Sequence, residues 1–171
     1  MSGNQYVYIS ASTQEMHCFE QDVLHKIYPI STAKNGLGEK MGSECTPRGL
    51  HRIHSRIGLD AQPGSVFVSR EWTGEVFSAD LAAAFPERDW ILTRIIQLDG
   101  LEPGRNKGGD VDSLQRYIYI HGTPDTMPMK QPESHGCIRM RNEDVIEFAN
   151  WAQLDTKVCI EYESPPRQYS L

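Results

Sequence analysis

Short runs of β-branched and aromatic residues, each closed by a polar or glycine-bearing break, recur along this chain and predict strands. Tyr6 to Ser10 and Val23 to Ile30 are early examples. Glu20, Gln21 and Asp22 offer a turn between hairpin partners, so a β-meander opens the chain. Asn35 to Gly49 holds four glycines and Pro47 and predicts a long loop, after which Leu50 to Ile53 predicts another short strand. Ser65 to Ser69 and Glu75 to Ser78 predict two more around a turn at Trp72-Thr73-Gly74. Ile91 to Leu98 is apolar enough for a buried strand, and a glycine-rich loop follows over Asp99 to Ser113. Tyr117-Ile118-Tyr119-Ile120 is the clearest strand, ending on His121-Gly122. Val158, Ile160 and Tyr162, alternating with Lys157, Cys159 and Glu161, predict a closing strand.

Helical periodicity is scarce. Ala79 to Phe85 predicts a short helix ended by Pro86. Beyond a polar loop containing Pro124, Pro128 and Pro132, the apolar residues Val145, Phe148, Ala149 and Ala152 fall at i, i+3, i+4 and i+7, one face of a helix. Asn142 is its expected N-cap, and Glu143 and Asp144 suit the positive end of its dipole. With no internal repeat, the pattern predicts one domain over 1–163 and a loose tail over 164–171.

Composition narrows the function classes. At 171 residues, 39% hydrophobic and 23% charged, the chain can bury a core without staples. A net charge of −6 without a basic cluster argues against a nucleic-acid partner. No run is long and apolar enough for a membrane span, and Met1 to Phe19 has neither the cationic start nor the apolar stretch of a secretory signal. The expectation is a cytoplasmic monomer, or a periplasmic protein if a signal was removed. Cys18, Cys45, Cys137 and Cys159 lack C-x-x-C spacing, which excludes zinc-ribbon and thioredoxin readings; all but Cys137 read as small reduced hydrophobes. His51 and His54, three apart on a strand, point to opposite faces, and Gly36, Gly38 and Gly42 lack the Gly-Lys-Ser/Thr of a phosphate cradle, so neither a metal nor a cofactor is expected. His17 and His25 read as surface or half-buried, and the tyrosines, Trp72, Trp90 and Trp151 as core.

The segment around Cys137 carries the chemistry. A cysteine nucleophile needs a partner to take its proton. His121 ends a predicted strand, and His135 lies two residues before the sulfur with Gly136 between them. Backbone N–H groups at Gly136-Cys137, uncrowded by a side chain, suit an oxyanion hole. By itself, His135-Gly136-Cys137 more readily describes a loop histidine beside a buried cysteine.

The full pattern is more specific. His121-Gly122-Thr123 is followed at an interval by Ser134-His135-Gly136-Cys137-Ile138-Arg139-Met140, and this closely resembles the signature of the L,D-transpeptidase (YkuD) catalytic domain. Thr46-Pro47-Arg48-Gly49-Leu50-His51-Arg52-Ile53 resembles that family's strand entry, and Tyr6 to Ser10 with Met16 to Phe19 its first hairpin. The resemblance implies a mainly β domain with short helices, a mixed-sheet β-sandwich. It makes Cys137 the nucleophile, His121 the base, and the backbone carbonyl of Gly122 the group that accepts Nδ1–H and orients the ring. Asp125 is then an ordinary loop residue. His135 is a wall residue that can share the base role, Ser134 fixes the loop or is a plain turn serine and counts with Arg139 as substrate-binding, Arg139 faces the cleft to pair with a substrate carboxylate, and Arg141 is a solvated charge.

The implied reaction is attack on peptidoglycan stem peptides through a Cys137 thioester. Water as acceptor gives an L,D-carboxypeptidase that trims murein tetrapeptide in recycling, as in the family's cytoplasmic members; this is the preferred expectation. A second stem peptide or a D-amino acid gives transpeptidation or exchange. An inactive muropeptide-binding module is the alternative of another class.

Overall fold

The structure is a computed structural model that describes residues 4–166. Alternating apolar residues build a mixed ten-stranded sheet. Its strands are β1 (Gln5–Ser10), β2 (Glu15–Glu20), β3 (Val23–Pro29), β4 (Gly49–Ile57), β5 (Ser65–Val68), β6 (Glu71–Val76), β7 (Ile91–Gly100), β8 (Tyr119–Thr123), β9 (Ile138–Arg141) and β10 (Lys157–Glu161), with helices α1 (Ala79–Ala84) and α2 (Asn142–Trp151) between them. The order along the sheet is β3-β2-β1-β10-β4-β7-β5-β6, and β8 and β9 branch from β7. Pairing is antiparallel except for β1 with β10 and β8 with β9.

The hub is β7. It pairs with β4, β5 and β8, and its ladders slip at bulges between Ile53 and Ser55 of β4 and between Leu92 and Ile95 of β7. Thr93, in the second bulge, has a positive φ of 75°. Such bulges bend and twist a sheet, and here the mixed sheet curls around its core into a mainly β domain with short helices, as the sequence leads one to expect. The principal core lies inside the curl, with Ile9, Ile53, Ile96, Leu98, Ile120, Ile138 and Met140 beside Phe148 and Ala149 of α2. Burying each aliphatic side chain contributes about 1.5–3 kcal/mol. Arg56 donates to the carbonyls of Ala149 and Ala152 at 3.3 and 3.1 Å, closing the end of α2. A smaller cluster of Phe67, Ile95 and Tyr119 lies apart, with Cys137 packed against it.

Several sequence expectations shift. Tyr117 and Ile118 precede β8, and the strand takes in His121 and Gly122. Tyr117 adopts φ 58°, a left-handed backbone that cannot continue a ladder. The β5–β6 turn falls on Ser69 and Arg70, because Val68 pairs with Glu71; Trp72-Thr73-Gly74 is strand, and Trp72 is exposed rather than core. Ser78 leaves the strand to cap α1, accepting the Leu81 N–H at 3.0 Å. The loop expected from Asp99 starts two residues later, since Asp99 and Gly100 pair with Arg52 and His51. Asn142 is not the N-cap of α2: Arg141 holds that place without a side-chain cap, and the Asn142 side chain is drawn to Thr93 and Asp125. Of the expected tail, 167–171 lies outside the described residues. Among the described residues no helix is long and apolar enough to cross a membrane.

The position after His121 tolerates no side chain. A Cβ on Gly122 would stand 2.6 Å from the carbonyl oxygen of Leu92 and 2.5 Å from Oδ1 of Asn142. The first obstacle is backbone of the paired strand and cannot swing aside. Gly122→Ala is therefore expected to lower unfolding stability by roughly 1–3 kcal/mol, measured by urea denaturation; an unchanged midpoint would show that β7 and β8 do not approach so closely.

Candidate active site

Strands β8 and β9 run parallel with Ile120 opposite Ile138 and His121 opposite Arg139. Side chains alternate between faces in each strand. Ile120, Ile138 and Met140 enter the principal core. Tyr119, His121, Cys137 and Arg139 line a cavity of about 400 Å³ on the other side, with Tyr117, Asp89 and His135 at its walls. The same alternation that builds the core thus sorts the reactive residues into one site.

His121 is buried, and its Nδ1 lies 2.6 Å from the carbonyl oxygen of Gly122. A carbonyl only accepts, so Nδ1 carries the proton and Nε2 is left with its lone pair. Cys137 is half-buried. Its sulfur accepts the Tyr119 N–H at 3.3 Å, and its S–H donates to the Tyr117 carbonyl at 3.4 Å. Both hydrogen bonds of the sulfur thus go to backbone. His121 and His135 share its cavity without bonding to it in this resting arrangement.

The loop entering β9 is fastened from two sides. Ser134 Oγ donates to the Cys137 carbonyl at 2.5 Å and accepts the Gly136 N–H at 3.2 Å. Thr46 Oγ1 donates to the Gly136 carbonyl at 2.8 Å. Gly136 itself sits at φ 134°, where a Cβ is disfavoured. The Gly136 N–H expected at the oxyanion site is directed at Ser134 Oγ in this structure. Its glycine serves the bend.

His135 is largely exposed, with Nδ1 3.5 Å from Asp89 Oδ2. Arg139 does line the cavity, but its side chain is only 6% exposed and is tied to Asp89 Oδ1 at 3.1 Å and to the Glu133 carbonyl at 3.2 Å. Asp89, an acid without motif in the loop after α1, was not singled out in the sequence; neither were Thr46 as a support of the Cys137 loop, Arg70 and Arg116. The tyrosines expected in the core are corrected at Tyr117, which is 55% exposed on the cavity wall. Arg141 is exposed, and Asp125 accepts from Asn142 at 3.3 Å. His51 is buried between the Gly49 carbonyl and Ser113, while His54 is exposed. All four cysteines are free.

Burial governs the charge states. It pushes the Cys137 thiol up to about 12, against the Tyr119 N–H and the Arg139 and Arg116 charges, which pull the other way. Burial also holds the His121 imidazole below its ordinary value, although the Gly122 bond and Asp89 oppose it. For Asp89, burial works to raise the carboxyl, but His121, Arg139 and His135 together hold it below the usual range. Both shifts favour the uncharged forms, a thiol and a neutral imidazole.

Residues 4–160 match the family model of the L,D-transpeptidase catalytic domain, YkuD. The chain belongs to this family. Solved structures of similar fold include an L,D-transpeptidase from Mycobacterium smegmatis, at 15% identity and TM-score 0.57, covering 92% of this chain and 58% of that one. The L,D-transpeptidase of Xylanimonas cellulosilytica gives 18% identity and TM-score 0.55, covering 94% and 62%. L,D-transpeptidase 3 from Mycobacterium tuberculosis, in complex with a faropenem-derived adduct, gives 14% identity and TM-score 0.56, covering 92% and 60%. The chain thus spans about three fifths of these proteins, and the likeness shows the YkuD fold. Comparison with curated proteins gives no significant match.

A neutral resting thiol in this YkuD domain has a direct consequence for alkylation. The rate at Cys137 with iodoacetamide, followed by peptide mass mapping, is expected to climb roughly tenfold per pH unit from pH 7 through 10, because the thiolate fraction rises throughout that range. A plateau below pH 8.5 would mean that a thiolate is already formed there.

Proposed function

We propose that the domain carries out cysteine-dependent acyl transfer on peptidoglycan stem peptides, and that its acceptor is water, making it an L,D-carboxypeptidase acting on murein tetrapeptide. The observation that carries the chemistry is the 2.6 Å contact between His121 Nδ1 and the Gly122 carbonyl, which leaves Nε2 as the basic atom in the cavity that Cys137 lines. Membership of the L,D-transpeptidase family supplies the substrate class.

In the first half-reaction His121 Nε2 takes the proton as Sγ bonds to the carbonyl carbon of the third, L-centred stem residue. The C–N bond breaks, the imidazolium returns the proton to the leaving amine, and D-alanine departs from a Cys137 thioester. The Cys137 amide is the oxyanion donor left to the loop once Ser134 holds that of Gly136. In the second half-reaction His121 takes a proton from water, which attacks the thioester and releases tripeptide and thiol. Keeping the thiol neutral until substrate arrives confines its nucleophilicity to the bound complex.

Hydrolysis is favoured as the outcome by the four free, widely separated cysteines, which suit a reducing cytoplasm where soluble muropeptides are recycled. The family name favours the second reading, transfer of the acyl group to the amine of another stem peptide or of a D-amino acid. Both share the first half-reaction.

Products distinguish them. Incubated with disaccharide tetrapeptide at millimolar concentration, the protein is expected to release tripeptide and D-alanine in equal amounts with little dimer, and Cys137→Ala is expected to release neither, as measured by mass spectrometry. Predominant dimer would assign the transpeptidase; turnover surviving in Cys137→Ala would overturn the mechanism.

A further inference from the structure

Three guanidinium groups line the Cys137 cavity, those of Arg70, Arg116 and Arg139. A stem peptide brings carboxylates, so their availability decides where one can be received. Arg139 is the residue the sequence suggests, yet it is almost fully buried and already paired with Asp89 at 3.1 Å. Arg116 spends its N–H groups on the loop before β4. It donates to the carbonyls of Gly38, Glu39 and Cys45 at 3.3, 3.0 and 2.7 Å and to the Ser43 hydroxyl at 3.4 Å. Its work is to fasten that wall.

Arg70 differs from both. It stands exposed at the tip of the β5–β6 hairpin and, among the described residues, takes part in no ion pair. Its guanidinium carbon lies 5.0 Å from the centre of the Tyr117 ring, and its charge also acts on the Tyr119 hydroxyl, against the burial that raises that group. These two tyrosines are the ones whose backbone holds the sulfur, Tyr117 through its carbonyl and Tyr119 through its N–H. The cation is therefore one residue removed from the nucleophile on each side. Stacking on Tyr117 orients the planar fork while leaving N–H groups for a bidentate carboxylate.

The hairpin is also built against local preference. A two-residue turn with positive φ at both positions favours glycine or asparagine, but Ser69 and Arg70 sit there at φ 50° and 67°. Tyr117, under the guanidinium, is left-handed too, at φ 58°.

We propose that Arg70 is the receptor for the carboxylate of the leaving D-amino acid. That carboxyl carbon is two bonds from the scissile nitrogen, so it must lie close to Sγ when the carbonyl is attacked. The proposal rests on the acyl-transfer reading above. It assigns selection of a free C-terminus to the hairpin tip rather than to Arg139.

The test compares two substrates, a tetrapeptide with a free terminal carboxylate and the same peptide as its terminal carboxamide, with the wild-type protein, Arg70→Gln and Arg70→Lys. Losing a charge-assisted bidentate contact is expected to reduce kcat/KM on the acid roughly 10- to 100-fold in Arg70→Gln, with little change on the amide and partial retention in Arg70→Lys. The Cys137 alkylation rate at fixed pH should be unaltered, showing that the sulfur's surroundings are intact. Equal losses on acid and amide, or no loss on either, would overturn the assignment. Absence of turnover by the wild type on both peptides would instead overturn the acyl-transfer reading, and this inference with it.

Discussion

The parallel register of β8 and β9 is the constraint on which the site depends. With Ile120 opposite Ile138, the residue before β9 falls beside Tyr119, and the Tyr119 amide reaches the sulfur. A shift of one residue would exchange the faces of the strand. Cys137 and Arg139 would then turn into the core, and Ile138 and Met140 would face the cavity. The apolar side chains that stabilise the fold thereby also enforce the register that assembles the chemistry. Ser134 and Thr46 add to this by holding the bend at Gly136, where no ladder bond can.

Burial has a cost and a use in this arrangement. It raises the thiol and lowers the imidazole, which favours the uncharged form of each, so in the mechanism proposed above proton transfer accompanies attack. The Gly122 carbonyl contributes orientation without bringing a second full charge into the pocket. The charge in the site lies to one side instead, where Asp89 ties the buried Arg139 and the exposed His135. Arg139 thus reads more readily as wall than as a hand extended to substrate.

What was legible in the sequence follows from what is local. The alternation of Val158 and Ile160, the helical spacing of Val145, Phe148 and Ala149, and the bend required at Gly136 are dictated by near neighbours, and the Cys137 and His121 motifs carry the family's pattern. The observed family match extends over 4–160. What escaped depends on contacts between distant segments. Asn142 has the chemistry of an N-cap, but Thr93, 49 positions earlier, offers a stronger partner. Tyr117 looks like strand until its carbonyl is found facing the sulfur. Asp89 and Arg116 have no motif around them, and Thr46, although it opens a family-like stretch, acquires its hold on the Gly136 carbonyl only when the sheet curls around β7. The hydroxyl of Ser134 that holds the Gly136 amide is visible only in three dimensions.

In the mechanism proposed above, Cys137 is the nucleophile and His121 removes its proton. The most direct measurement is acylation by a penem, the class of compound whose adduct is seen in the Mycobacterium tuberculosis L,D-transpeptidase 3 structure, followed by intact mass and peptide mapping for the wild type and His121→Ala. The account predicts one adduct, on the peptide containing Cys137, formed roughly 10²- to 10⁴-fold more slowly when His121 is removed. An adduct on another residue, or an unchanged rate in His121→Ala, would contradict it.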